Sequence, residues 1–100
     1  MKLKVFSVYD QVTGAYLQPF FMQNVPLAIR AITDVLADPE HTFNKHSADY
    51  HLAELGEYDD VSGVITPLEP ITRICYLNEL RHNPLETIEK VETDGQTTVG

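Results

Sequence analysis

One hundred residues, 43% of them apolar, are enough for one domain with a single core. Fifteen Asp and Glu face seven Lys and Arg, a formal net charge of −8. Such a chain repels polyanions at long range, and its scattered basic residues form no stripe, which excludes a nucleic-acid binder of the usual electrostatic kind.

No apolar run approaches the roughly 18 residues that would span a bilayer. The first ten residues lack both a long apolar stretch and a small-residue cleavage site, so no signal peptide is expected and the protein is assigned to the cytosol. Cys75 is alone, so an internal disulfide and a cysteine-based zinc site are excluded. Its neighbours Arg73, Ile74, Tyr76 and Leu77 mark it as an inert packing thiol.

Residues 3–9, Leu-Lys-Val-Phe-Ser-Val-Tyr, carry apolar side chains on both parities and predict an interior strand. A loop over 10–14, with Gly14 at positive φ, leads to an antiparallel strand over about 16–22. Pro19 puts that strand at an edge or at a bulge. Asn24 as cap and Pro26 in the first turn open a helix whose apolar stripe is Ala28, Ala31, Ile32, Val35 and Leu36. Arg30 and Asp34 are spaced to pair on its outer surface, and Asp38-Pro39 stops it.

The stretch from Glu40 to Asp49 is polar, with Phe43 as its anchor. Residues 50–58 fit either a short helix capped by Ser47 or a strand. The strand is preferred, because Asp59-Asp60-Val61-Ser62-Gly63 then forms a hairpin loop into 64–66. Pro67 and Pro70 break the pattern before a last strand over 71–76, and 76–81 turns helical. The fold class expected is α+β: a small antiparallel sheet of four to five strands with one main helix, in ββαβββ order. Residues 1–83 form the domain, and 84–100 an acidic, disordered tail with too few apolar residues to pack.

Few residues offer chemistry. His41, His46, Asp49 and His51 are metal-type ligands, but their spacing matches no standard site, and solvated loop histidines are the simpler reading. Along a regular strand Glu54 and Glu57 point to opposite faces, and Asp59-Asp60 is turn chemistry, so no carboxylate pair is assigned. There is no nucleophile elbow, no phosphate-cradling glycine cluster and no His-x-His pair. No catalytic residue, metal site or cofactor is expected, and the protein is read as not an enzyme. Tyr9, Tyr16, Phe20, Phe21 and Tyr58 on strands could stack on single-stranded bases, but no positive groove accompanies them, and most are assigned to the core.

The opening Met-Lys-Leu-Lys-Val-Phe-Ser-Val-Tyr-Asp, the tract Phe43-Asn44-Lys45-His46, Asp49-Tyr50, and Leu55-Gly56-Glu57-Tyr58-Asp59-Asp60 closing at Gly63 resemble the small non-structural protein of gokushoviruses. That protein is the fifth open reading frame product of these single-stranded DNA phages of the Microviridae. The likeness covers residues 1 to about 66 and includes Phe20-Phe21 and the helix from Pro26 to Leu36. Ser47 departs from it, standing where proline is expected.

The resemblance implies a protein of the host bacterial cytoplasm, absent from the mature virion. It also implies the role proposed for that family, in genome replication at the switch from duplex intermediate to single-strand synthesis, and the family is often described as DNA-binding. It brings no catalytic residues. The first reading is therefore a non-enzymatic replication accessory that contacts phage or host replication proteins, or weakly binds single-stranded DNA. Its expected contact surface is Lys2 and Lys4 on one face of the first strand, the loop Asn44, Lys45 and His46, and Arg73. Edge strands offer a route to a homo-oligomer. The alternative is an acidic host-directed protein, a DNA mimic or an inhibitor of a host factor, which the charge of −8 suits better.

Overall fold

The computed structural model describes residues 1–82; the expected tail lies outside the described residues. The elements are β1 (Lys2–Asp10), β2 (Ala15–Tyr16), β3 (Phe20–Met22), α1 (Val25–Leu36), α2 (Thr42–Lys45), β4 (Tyr50–Asp59), β5 (Ile65–Tyr76) and α3 (Leu77–His82). A single 3-10 turn, Ser47–Asp49, precedes β4. The strands form one antiparallel sheet in the order β2-β1-β4-β5, with β3 also paired to β1. The α+β class is thus as expected, and β1 is interior.

The helices cover one side of the sheet. Phe6, Val8 and Leu52 from the strands meet Ala28, Ile32 and Leu36 of α1, with Leu77 of α3 and Tyr50 completing the core. α1 forms for the reasons its sequence supplies. Asn24 Oδ1 accepts from Leu27 N at 2.9 Å, and Ala28, Ile32 and Leu36 bury one stripe at four-residue spacing. The expected pairing of Arg30 with Asp34 is not among the ion pairs of the described residues.

Three local expectations change. The second strand is split: Leu17–Pro19 separates β2 from β3, because Pro19 cannot donate to a ladder. Leu17 still hangs on β1, its N–H donating to the Val8 carbonyl and its own carbonyl accepting from Ser7 Oγ at 2.6 Å. The polar stretch folds into α2 and the 3-10 turn. There His41 Nδ1 accepts from Phe43 N, and Asn44 Nδ2 donates to the Leu36 carbonyl at 2.8 Å, satisfying an end of α1. The strands expected at 64–66 and 71–76 are one, β5, whose two prolines are tolerated because it is an edge.

Residues 50–58 are strand, and the 59–63 hairpin is as expected. Asp59 Oδ1 accepts from Val61 N at 2.9 Å, and Gly63 turns the chain at φ 78°. Between Val5 and Phe6 the β1–β4 register skips Leu55, a bulge, and Gly56 beside it presses against β5. A Cβ on Gly56 would lie 2.4 Å from the Thr66 carbonyl oxygen, which is backbone and cannot swing away. Gly56→Ala is expected to lower stability by about 1–3 kcal/mol, read as a lowered urea midpoint.

Candidate functional site: the aromatic face of the sheet

Strand residues alternate between two faces, and cross-strand partners share one. The ladder partners place Lys2, Lys4, Phe6, Val8 and Asp10 of β1 on the helix side, and Leu3, Val5, Ser7 and Tyr9 on the open side. On β4 the open positions are His51, Ala53, Gly56 and Tyr58. Opposite them on β5 stand Tyr76, Arg73, Pro67 and Ile65. Tyr16 of β2 and Phe21 of β3 complete this face from the other edge.

Every strand carboxylate with a ladder partner lies on the helix side: Asp10, Glu54, Glu57 and Asp59. The bulge causes this. Glu54 and Glu57 should alternate, but the extra residue Leu55 returns Glu57 to the face of Glu54. There Lys4 meets Glu54 at 3.0 Å and Lys2 meets Glu57 at 4.0 Å. The open face is left with one cation, Arg73, and no carboxylate at its paired positions.

Aromatic rings cross this face in register. Tyr16 and Tyr9 have centroids 4.8 Å apart, Tyr9 and His51 5.1 Å, and His51 and Tyr76 5.6 Å. Arg73 closes the row, its Cζ 4.9 Å from the Tyr76 centroid and its Nη1 donating to Tyr76 Oη at 2.9 Å. At the far end Phe21 and Tyr58 meet edge to face at 5.1 Å, next to Ile65. Because Tyr9 and His51 stack on each other, the rings with most free surface are Tyr16 and Phe21, 41% and 40% exposed.

The residues expected to form a contact surface do not converge. Lys2 and Lys4 are together but on the helix side, each beside a glutamate. Lys45 meets Glu40 at 3.4 Å, and Asn44 is engaged with α1. His46 lines a groove of about 240 Å³ with Asp10, Val12, Asp49 and Tyr50. Burial first, then Asp10 and Asp49, push the Tyr50 hydroxyl pKa up. Arg73 alone stands on the open face and has no ion pair among the described residues.

The four candidate metal ligands are likewise spread out, and the described residues contain no group of three or more that could hold an ion. Burial, with Glu79, pushes the Cys75 thiol up to about 11, so it carries no thiolate near neutrality. The members of the row that sequence reasoning missed are His51 and Tyr76. The signal available was alternation: each is a ring next in sequence to an inward-facing residue, Leu52 or Cys75.

His51 is the strained member. Its Nδ1 is buried without a hydrogen-bond partner among the described residues, and burial followed by Arg73 lowers its pKa below 6.5. The unfolded chain therefore takes up this proton first. The stability His51 contributes is complete above about 6.5 and is lost as pH falls from there through the lowered folded value. Urea midpoints measured between pH 7.5 and 5.5 should fall for the natural chain and flatten in His51→Gln.

A family model described as phage ORF5 protein matches residues 3–80, through α1, the bulged β4 and β5. No curated protein and no solved structure matches the chain. The match extends past residue 66 to the end of the packed helices and takes in every residue of the aromatic row. The chain belongs to the phage ORF5 protein family.

Proposed function

We propose that this phage protein is a non-structural, non-enzymatic accessory of viral genome replication that contacts single-stranded DNA weakly through its open sheet face, in the host cytoplasm. The observation that carries the reading is the aromatic row ending at Arg73, on a face with no carboxylate at its ladder-paired positions, where Arg73 has no ion pair among the described residues. Net charge acts on the approach of a polyanion, but at contact the local charges decide, since screening acts within about 8–10 Å. At the ladder-paired positions of this face the one charge is the Arg73 guanidinium. Bases would stack on Tyr16 and Phe21, each contributing about 1–3 kcal/mol, while Arg73 takes a phosphate.

A second reading, the acidic host-directed protein, is favoured by the opposite side of the sheet. Asp10 and Asp49 line the groove there, and Asp34, Asp38 and Glu40 follow along and after α1. A partner with basic residues would bind that side and leave the aromatic row untouched. The exposed edge of β5 also supports self-association by strand pairing, which sedimentation would detect.

Titration of a labelled oligothymidine at two salt concentrations tests the first reading. With one guanidinium engaged, log K should fall with log salt at a slope near −0.7, far shallower than for a basic-stripe binder. Arg73→Gln should flatten the slope, and Tyr16→Ala should weaken binding at least about fivefold. Absence of binding at low salt would sink the DNA-contact reading. Phage lacking the gene should accumulate duplex DNA at the expense of single strands, and an unchanged ratio would refute the replication role.

A further inference from the structure

On the helix side of the sheet, at the start of β4, the groove of about 240 Å³ is lined by Asp10, Val12, His46, Asp49 and Tyr50. Asp10 ends β1, Tyr50 opens β4 directly opposite it, and Asp49 closes the 3-10 turn. The loop after β1 is tied to that turn. Gln11 N donates to the Asp49 carbonyl at 2.9 Å, and Gln11 Nε2 to the Ala48 carbonyl at 3.4 Å. The two carboxylates are therefore carried on one braced frame, as a recognition site requires.

Tyr50 distinguishes this groove from a pair of surface acids. It is only 8% exposed, and its ring packs on Phe43 at 4.9 Å between centroids. Burial, then the charges of Asp10 and Asp49, push its pKa up, so the hydroxyl keeps its proton and still offers a lone pair. Among the described residues that hydroxyl makes no hydrogen bond.

A ligand that fits must be cationic, a donor and small. Two carboxylates select positive charge. The volume lies below the roughly 300 Å³ at which drug-sized ligands begin, and suits one side chain. The described residues contain no group of three or more that could hold a metal ion, so the cation is organic. Val12, 75% exposed, offers apolar surface to the methylenes behind a charged head. A guanidinium has five donors in a fixed plane, enough for both carboxylates and the Tyr50 oxygen together, whereas an ammonium has three. The chain's own Lys2, Lys4 and Lys45 sit elsewhere, beside Glu57, Glu54 and Glu40.

We propose that this groove binds one arginine side chain of a protein partner, Asp10 and Asp49 pairing with the guanidinium and the Tyr50 hydroxyl accepting from it. That the arginine belongs to a host protein rests on the host-directed reading; the site itself does not.

The probe is N-acetyl-arginine amide, with the uncharged N-acetyl-citrulline amide as control. Each is titrated into the full chain and followed by the resonances of Tyr50, His46 and Asp49. The arginine compound should shift them saturably at about millimolar concentration, and the citrulline compound should not. Asp49→Asn and Tyr50→Phe, which keep size and packing, should each weaken binding about three- to tenfold. Glu69→Gln, an equal change of charge on exposed β5, should leave it unchanged. If Tyr50→Phe fails to fold, Asp49→Asn decides. No saturable shift, an equal response to citrulline, or the same weakening from Glu69→Gln overturns the proposal, and a groove covered in solution gives the first of these. Host protein retained by the natural chain is then compared with that retained by an Asp10→Asn, Asp49→Asn chain; the first change keeps the oxygen that accepts from Val12 N. If the arginine compound binds but no host protein is retained, the host-directed reading fails while the site stands. A host protein retained equally by both chains keeps that reading and overturns the groove as its contact.

Discussion

The pairing of β1 with β4 is the interaction on which everything else here depends. It runs from Asp10 opposite Tyr50 to Lys2 opposite Asp59, and it holds one irregularity, the bulge at Leu55. Alternation along a strand has a period of two, so a single extra residue exchanges the faces of everything beyond it. That exchange sends Glu57 and Asp59 to the helix side, beside Lys2 and Lys4. It sends Tyr58 to the open side, beside Phe21. Gly56 is what makes the bulge feasible, because β5 passes too close for any side chain there.

From that one register follows a separation of charge. The protein is acidic as a whole, yet its acidity is not spread evenly. At the ladder-paired positions the helix side carries the carboxylates and the lysines that offset them, while the other side carries rings, small residues and Arg73. Val5, Ser7, Ala53 and Gly56 in the middle of that face are buried, so its exposed surface lies toward its two aromatic ends. Composition argued against nucleic acid because it summed charges over a surface that the sheet divides in two. Interaction at a few ångströms is governed by the charges on one side of that division.

His51 shows how the row trades stability for placement. A buried ring nitrogen without a partner is unfavourable, and the guanidinium nearby adds to the cost of protonating the imidazole. Its stacking with Tyr9 and its edge contact with Tyr76 make it continuous with the row. Unfavourable polar burial in an otherwise well-satisfied domain is where function is expected to reside.

Much of this was legible in the chain by itself. The cap at Asn24, the stripe of Ala28, Ile32 and Leu36, the turn at Asp59–Gly63 and the interior character of β1 are local patterns, set by spacing within one segment. They determined an α+β domain with its helix over one side of an antiparallel sheet. Neither the aromatic row nor the charge separation could be read that way. Tyr16, Tyr9, His51 and Tyr76 come from four strands, and their alignment is a property of pairings between them. The side on which Glu57 falls depends on a bulge that exists only where two strands are laid together, so tertiary structure alone decided which face holds the ladder-paired carboxylates.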